Sequence, residues 1–224
     1  MTTALGDQRR LADITAYDVL HRPPRSDLLA VAELAARICD VPMATINLIT
    51  DVEQHQVATV GFDAAVCRRE DSMCASILAS DTPIVVVDAS VDPRFRDNPF
   101  VTGVIGHVRF YASHKLVTPL GVAIGTLCVF DTEPREVTPE QVAALGTLAQ
   151  RVVDVLELTL RSRQLSDTLS QVEAMRDALE VSNDRLASFA GQVSHDLKSP
   201  LTSVSLSLGL IREQVDAGGS PEET

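Results

Sequence analysis

Apolar and polar positions follow two different rhythms along this chain. Up to about residue 157, short apolar runs alternate with Gly, Pro, Asp and Asn, the pattern of a mixed helix and strand domain. Leu28, Leu29, Ala32, Leu34, Ala35 and Ile38 recur at helical spacing behind Ser26, a residue type that caps helix starts, and the run stops before Val41-Pro42. Residues 43–50 read as a strand, with 55–61 as its antiparallel partner across a polar turn at 51–54. A short helix over 72–80 precedes Pro83-Ile-Val-Val-Val-Asp88, a β-branched run that predicts a buried strand. Strands over 108–117 and 122–130 flank the turn Pro119-Leu-Gly121. At least five strands with helices at both ends predict an α+β domain.

After Thr138-Pro-Glu140, a capping residue with Pro at the first helical position, turn-forming residues almost vanish, which predicts one long helix. Leu158, Leu165, Val172, Leu179, Leu186 and Val193 recur every seven residues, so on a helix they form one seam. Met175 and Phe189 fit the second heptad position, whereas Arg161 and Ser182 do not. A parallel dimeric coiled coil with a weakened seam is the expectation, against the alternative of a single amphipathic helix lying back on the first domain. The spacing of Val193, Leu197 and Leu201 shifts the seam by a stutter.

With 224 residues the chain has room for one to two domains of roughly 150 residues each. Nineteen Lys and Arg against 31 Asp and Glu leave a net charge of −12. That field repels phosphate backbones and anionic headgroups, so neither nucleic acid nor a membrane surface is an expected partner. No apolar run approaches the roughly 20 residues of a membrane helix, and the N-terminus lacks a signal-peptide pattern, which together predict a soluble cytoplasmic chain. Cys39, Cys67, Cys74 and Cys128 are scattered, without CxxC pairs or neighbouring His, and read as reduced buried thiols without a metal. Cys74 and Cys128 could instead form a redox pair.

The stutter falls at Ser194-His-Asp-Leu-Lys-Ser-Pro-Leu201. At about 100° per residue, His195 lies about 200° from Val193 and about 160° from Leu197, which sends its ring away from the seam. Pro200 removes a backbone donor toward the Asp196 carbonyl, so a bend is expected just beyond the histidine. Ser194, His195 and Asp196 cannot act as a hydrolytic triad, because consecutive helical side chains diverge.

Residues 189–202, Phe-Ala-Gly-Gln-Val-Ser-His-Asp-Leu-Lys-Ser-Pro-Leu-Thr, resemble the H-box of bacterial sensor histidine kinases. The resemblance implies that His195 is the phosphoacceptor and Asp196 its general base and orienter. It places Ser199 at a phosphatase position and Pro200 at the helix bend. Asp88-Ala-Ser-Val-Asp-Pro-Arg-Phe-Arg-Asp-Asn-Pro99, Val108-Arg-Phe-Tyr-Ala112 and Gly125-Thr-Leu-Cys-Val-Phe-Asp131 with Pro134-Arg135 resemble GAF domains, over about residues 8–160. That likeness implies a PAS-like antiparallel sheet of about six strands with flanking helices.

The implied organisation is a GAF sensor at 1–157, a coiled-coil signalling helix at 158–185, and the first helix and loop of a phosphoacceptor domain at 186–224, with Ala217-Gly-Gly-Ser-Pro221 opening that loop. The implied partners are a second copy through the long helix, a response-regulator receiver domain that takes phosphate from His195, and a small molecule in the GAF domain. Protein-histidine kinase activity is expected of the intact parent with ATP and Mg, and of this chain alone neither ATP binding nor autophosphorylation. The alternative is a non-catalytic GAF ligand-binding and dimerisation module, or a thiol redox sensor. Cys74, Arg109, Tyr111 and Cys128 are the candidate GAF pocket residues. Ala75 and Ser76 after Cys74 depart from the bilin-attachment pattern, no cyclic-nucleotide signature is apparent, and haem would have only His107 or His114 to bind it.

Overall fold

The computed structural model describes residues 2–80 and 82–217. Two helices open the chain, α1 (Thr2–Tyr17) and α2 (Arg25–Cys39). The strands β1 (Met43–Ile49), β2 (Glu53–Val60) and β3 (Val66–Arg68) follow. A 3₁₀ turn (Ala75–Ala79), β4 (Ile84–Val86) and the single-turn α3 (Pro99–Thr102) then lead to β5 (Phe110–Val117), β6 (Ala123–Asp131) and α4 (Pro139–Ala217). The strands form one antiparallel sheet in the order β3-β2-β1-β6-β5-β4. Residues 218–221 of the expected loop lie outside the described residues.

Period-two alternation sorts the strand residues onto two faces. Ala44, Ile46 and Leu48 of β1, Phe110, Ala112 and Leu116 of β5, and Leu127 and Val129 of β6 pack with α2 and with Leu145, Val152 and Leu156 of α4 in one aliphatic core. The opposite face carries Ile49, Tyr111 and Cys128, covered by Met73, Cys74 and Ile77 at the 3₁₀ turn and by Phe95 and Val101 beyond it. Cross-strand pairs on that face are Thr45 with Cys128, Asn47 with Thr126, and Ser113 with Cys128.

Several local expectations are corrected. Ser26 does not cap α2, because Pro24 holds the capping position and the helix has begun at Arg25; a proline is tolerated there since the first-turn amides lack helical partners anyway. Leu28, Ala32 and Ala35 are buried, but Leu29 and Leu34 face solvent, so the buried stripe is narrower than the apolar pattern. β2 starts at Glu53 rather than at 55, because Thr50 Oγ1 accepts from the Glu53 amide (2.9 Å) and donates to its carbonyl (3.0 Å), closing a tighter turn. The β-branched run at 84–87 is an edge strand with Val85 and Val87 exposed, not a strand covered on both faces.

Helix α4 enters two compact units, one reaching Gln164 and one starting at Leu165. Within the first, Arg163 Nη1 donates to the Tyr17 carbonyl (2.9 Å), its Nη2 to the Arg22 carbonyl (2.6 Å), and Tyr17 Oη donates to Glu157 Oε1 (2.5 Å). In the second, the seam residues Leu165, Val172, Leu179 and Leu186 are exposed in the single chain. Among the described residues no helix is long and apolar enough to cross a membrane.

Candidate functional site

The polar residues of the second sheet face converge. Cys74 and Cys128 bring their Sγ atoms to 3.5 Å, and both are buried. Asn47 Nδ2 donates to Cys128 Sγ (3.0 Å) and to Cys74 Sγ (3.3 Å). Its Oδ1 accepts from Thr45 Oγ1 (3.0 Å), which turns the NH₂ side of the amide toward the sulfurs. Tyr111 Oη donates to Cys74 Sγ (3.1 Å), and the Tyr111 ring packs on Phe95 with centroids 5.9 Å apart. Ser72 places Cys74: its Oγ accepts from the Ala75 amide (2.9 Å) to cap the 3₁₀ turn and donates to Gln54 Oε1.

Thr45, Asn47, Gln54, Cys74, Tyr111 and Cys128 line a cavity of about 40 Å³ together with Gln56, Met73, Phe100, Val108 and Phe130. Its lining carries no formally charged residue type. The volume suits a water or a few heavy atoms and is far below that of a macrocycle.

The two thiols are unequal. The hydrogen bond from the Cys128 thiol pulls Cys74 down to about 7 against the opposing effect of burial, and the Thr126, Tyr111 and Asn47 donors add to that pull. Cys128 goes the other way: burial and its bond to Cys74 keep it protonated well above the ordinary thiol value. Tyr111 is raised by burial and by the neighbouring Cys74 charge. Cys74 is therefore the more acidic thiol of the pair and ionises first, while Cys128 keeps its proton.

A pH dependence follows. Between about 7 and the ordinary thiol value of 9, the unfolded chain keeps the Cys74 proton that the folded chain has lost, so this group raises stability as pH rises. Above 9 the unfolded thiols ionise while burial holds Cys39, Cys128 and Cys67 protonated, Cys67 up to about 11, so stability falls. Urea midpoints measured under reducing conditions should climb from pH 7 to about 9 and drop beyond it; a steady fall over that first interval would contradict the thiolate assignment.

Of the four pocket candidates, Cys74, Tyr111 and Cys128 come together and Arg109 does not. Arg109 Nη1 donates to the Val101 and Val108 carbonyls (3.0 Å each) and ties the α3 loop to β5. Asn47, Thr45 and Thr126 were not singled out by sequence reasoning, although the polar alternation Thr45, Asn47 in an otherwise apolar strand was the available signal. His107 and His114 stand away from the cavity: His107 packs on Gly103, and His114 Nδ1 lies 3.1 Å from the Lys115 carbonyl near Gly146. Among the described residues no three His, Cys, Asp or Glu cluster as a metal site.

In the second unit the His195 side chain is 86% exposed, with Nδ1 3.5 Å from Asp196 Oδ1. Helix α4 continues through Pro200, and Thr202 and Ser203 hydroxyls donate back to the Lys198 and Ser199 carbonyls (2.7 and 3.2 Å).

The family described as GAF domain matches residues 26–156. A cyclic di-GMP phosphodiesterase of Pseudomonas aeruginosa is 39% identical over 126 residues, 56% of this chain and 21% of the relative, so the likeness spans about a fifth of that protein. Among solved structures, the blue-light-absorbing form of the PixJ GAF domain of Thermosynechococcus elongatus shares the fold at 13% identity and TM-score 0.52, covering 65% of this chain and 90% of that one. Free methionine-R-sulfoxide reductase from Neisseria meningitidis does so at 16% identity and TM-score 0.50, covering 61% and 80%. The type II enzyme of that name from Thermoplasma acidophilum does so at 12% and 0.50, covering 60% and 93%.

The expectation of protein-histidine kinase activity does not stand. The relative matched in sequence is a cyclic di-GMP phosphodiesterase, not a histidine kinase, and the solved structures share the fold alone. The motif behind that expectation is one exposed helical face, and the family match lies in the other unit. The chain belongs to the GAF-domain family through residues 26–156.

Proposed function

We propose that the chain is a non-catalytic GAF sensory and dimerisation module, in which a small uncharged molecule is read on the polar face of the sheet. The observation that carries this reading is the buried cluster of Thr45, Asn47, Cys74, Tyr111 and Cys128 around the cavity. Aliphatic residues of similar volume would be cheaper to bury there, so a hydrogen-bonded cluster at the centre of a core fits recognition better than stability. Apart from Cys74, the more acidic of the two thiols, the lining offers amide, hydroxyl and thiol groups without a formal charge, which favours an uncharged ligand with hydrogen-bonding groups. Met73 and Phe100 border the space, and a flexible thioether there suits a pocket that enlarges on binding. Native mass spectrometry of freshly purified protein, followed by thermal-shift titration with uncharged amides and alcohols, tests this. A retained or titrating ligand that is lost in Asn47→Leu supports it, and protein of bare sequence mass that responds to none of them overturns it.

A second reading is favoured by the 3.5 Å separation of the sulfurs: oxidation of Cys74 and Cys128 to a disulfide, with a peroxide taking the two electrons. Loss of two mass units on peroxide treatment, abolished in Cys74→Ser, is its expected signature.

In this reading the exposed seam of α4 pairs with the same seam of a second copy, since a heptad row of Leu and Val left in water is unfavourable alone. Sedimentation should give a dimer that Leu179→Asp converts to monomer. His195 is proposed, independently, as an acceptor of a phosphoryl group delivered by a separate kinase, with Asp196 orienting the ring and a receiver-domain aspartate as the onward acceptor. The ring's exposure supports that role. Acid-labile label lost in His195→Gln would support it, and absence of label with a competent donor would remove it.

A further inference from the structure

We infer that the GAF unit carries a second ligand site, an anion pocket at its rim built by Arg10, Arg69 and Lys115 and suited to a phosphate group. In a chain of net charge −12, four cations, Arg9, Arg10, Arg69 and Lys115, line one open pocket of about 430 Å³, against the single carboxylate of Asp7. They come from α1, the segment after β3, and β5, so tertiary structure and not a local charge run assembles the set. The pocket floor is the 3₁₀ turn at Ala75, Leu78 and Ala79.

Arg10 is the decisive residue. Only 7% of it is exposed, and its Nε is buried without a hydrogen-bond partner among the described residues. A guanidinium presents five N–H donors, and leaving one unfilled out of water is costly. Arg10 Nη2 and Arg69 Nη1 (3.0 Å) both donate to the same oxygen, Asp7 Oδ1, while Arg69 Nη1 is steadied by the Thr50 carbonyl (3.1 Å). One carboxylate oxygen thus serves two cations, although Asp51 adds a more distant negative charge. Burial and the neighbouring Arg69 charge both depress Arg10 basicity, the mark of two guanidiniums short of counter-charge. An oxyanion in the pocket would supply the missing counter-charge to both guanidiniums in the fork geometry they favour, and the Lys115 ammonium adds a third charge. Asp7 acts as the built-in competitor that neutralises part of the site when it is empty of ligand. The pocket is larger than one phosphate group, so a phosphomonoester fits it better than the free ion.

Isothermal titration of the full chain at low ionic strength, with inorganic phosphate in one arm and glucose 6-phosphate in the other, tests the site. One-site binding with Kd of about 1 mM or tighter is expected. It should weaken about tenfold in Lys115→Gln and in Arg69→Gln, and weaken with added salt. Asp7→Asn should tighten it, since the competing carboxylate is gone. Equal affinity in the two arms identifies the free ion as the ligand, and tighter binding of the ester identifies an organic phosphate; both support the site. No saturable binding in either arm, or binding indifferent to Lys115→Gln and Arg69→Gln with circular dichroism unchanged, overturns it.

Discussion

Replacing Cys128 with Ala should shift the pH midpoint of Cys74 alkylation upward from its native position of about 7. The native midpoint is low because Cys74 receives the Cys128 S–H together with donors from Tyr111 and Asn47, while burial alone would push it the other way. Deleting the largest of these donors leaves burial less opposed, so the thiol keeps its proton at neutral pH. Each unit of upward shift removes about tenfold of the thiolate at pH values below the midpoint, partly offset by the greater intrinsic nucleophilicity of a more basic sulfur. The experiment is peptide-resolved mass spectrometry after timed exposure to iodoacetamide across pH 5.5–9.5. Tyr111→Phe should move the midpoint in the same direction by less. If wild-type Cys74 already titrates like an ordinary thiol, or Cys128→Ala leaves its midpoint in place, the polarised thiol pair is not the chemistry of this site.

Gly125→Ala is expected to destabilise the GAF unit by about 3 to 5 kcal/mol, near the upper end of what single substitutions do. A Cβ built on Gly125 would lie 1.9 Å from the Asn47 carbonyl oxygen, 2.9 Å from its carbon and 3.0 Å from the Leu48 Cα. All three are backbone atoms, so no side chain can rotate aside, and β1 and β6 must separate at the middle of the sheet. The displaced carbonyl belongs to Asn47, so the amide that polarises the two sulfurs should move too, and the Cys74 midpoint should rise in parallel. Gly191→Ala provides the contrast: nothing lies within 4 Å of a Cβ there, and in an exposed helix the change should stabilise by about 0.5 to 1 kcal/mol. Urea unfolding followed by circular dichroism measures both. A Gly125→Ala protein with wild-type stability would show that the close strand approach is not maintained in solution.

Much of the fold is legible along the chain, for local reasons. The strand runs at 43–50 and at 122–130, the Pro119-Leu-Gly121 turn and the long uninterrupted helix after Thr138 each depend on neighbours within a few residues. Elements with weaker local signals were less readable. β3 spans only Val66–Arg68, too short for any period to declare itself, and its place beside β2 depends on Gln54 meeting Cys67 across the ladder. The edge position of β4 was hidden because a run of Ile and Val has the same composition whether one face or two are covered.

For the site, the same division holds. The likeness pointed to Cys74, Tyr111 and Cys128, but not to Asn47, the group that joins the two sulfurs. Arg109 looked equivalent to its neighbours in the motif, yet its guanidinium is spent on loop carbonyls. The basic pocket shows this most clearly, since Arg10, Arg69 and Lys115 are separated by dozens of residues and no window along the chain contains them together.

Chain order alone therefore settled the rhythm of strands and helices, including the long helix beyond the domain, because helical and strand periods are properties of consecutive residues. Which of four cysteines meet, which arginine is left short of acceptors, and which glycine two backbones press against were decided only by the packed sheet. Those facts are distances between residues far apart in the chain, and strand order and register, not periodicity, set them.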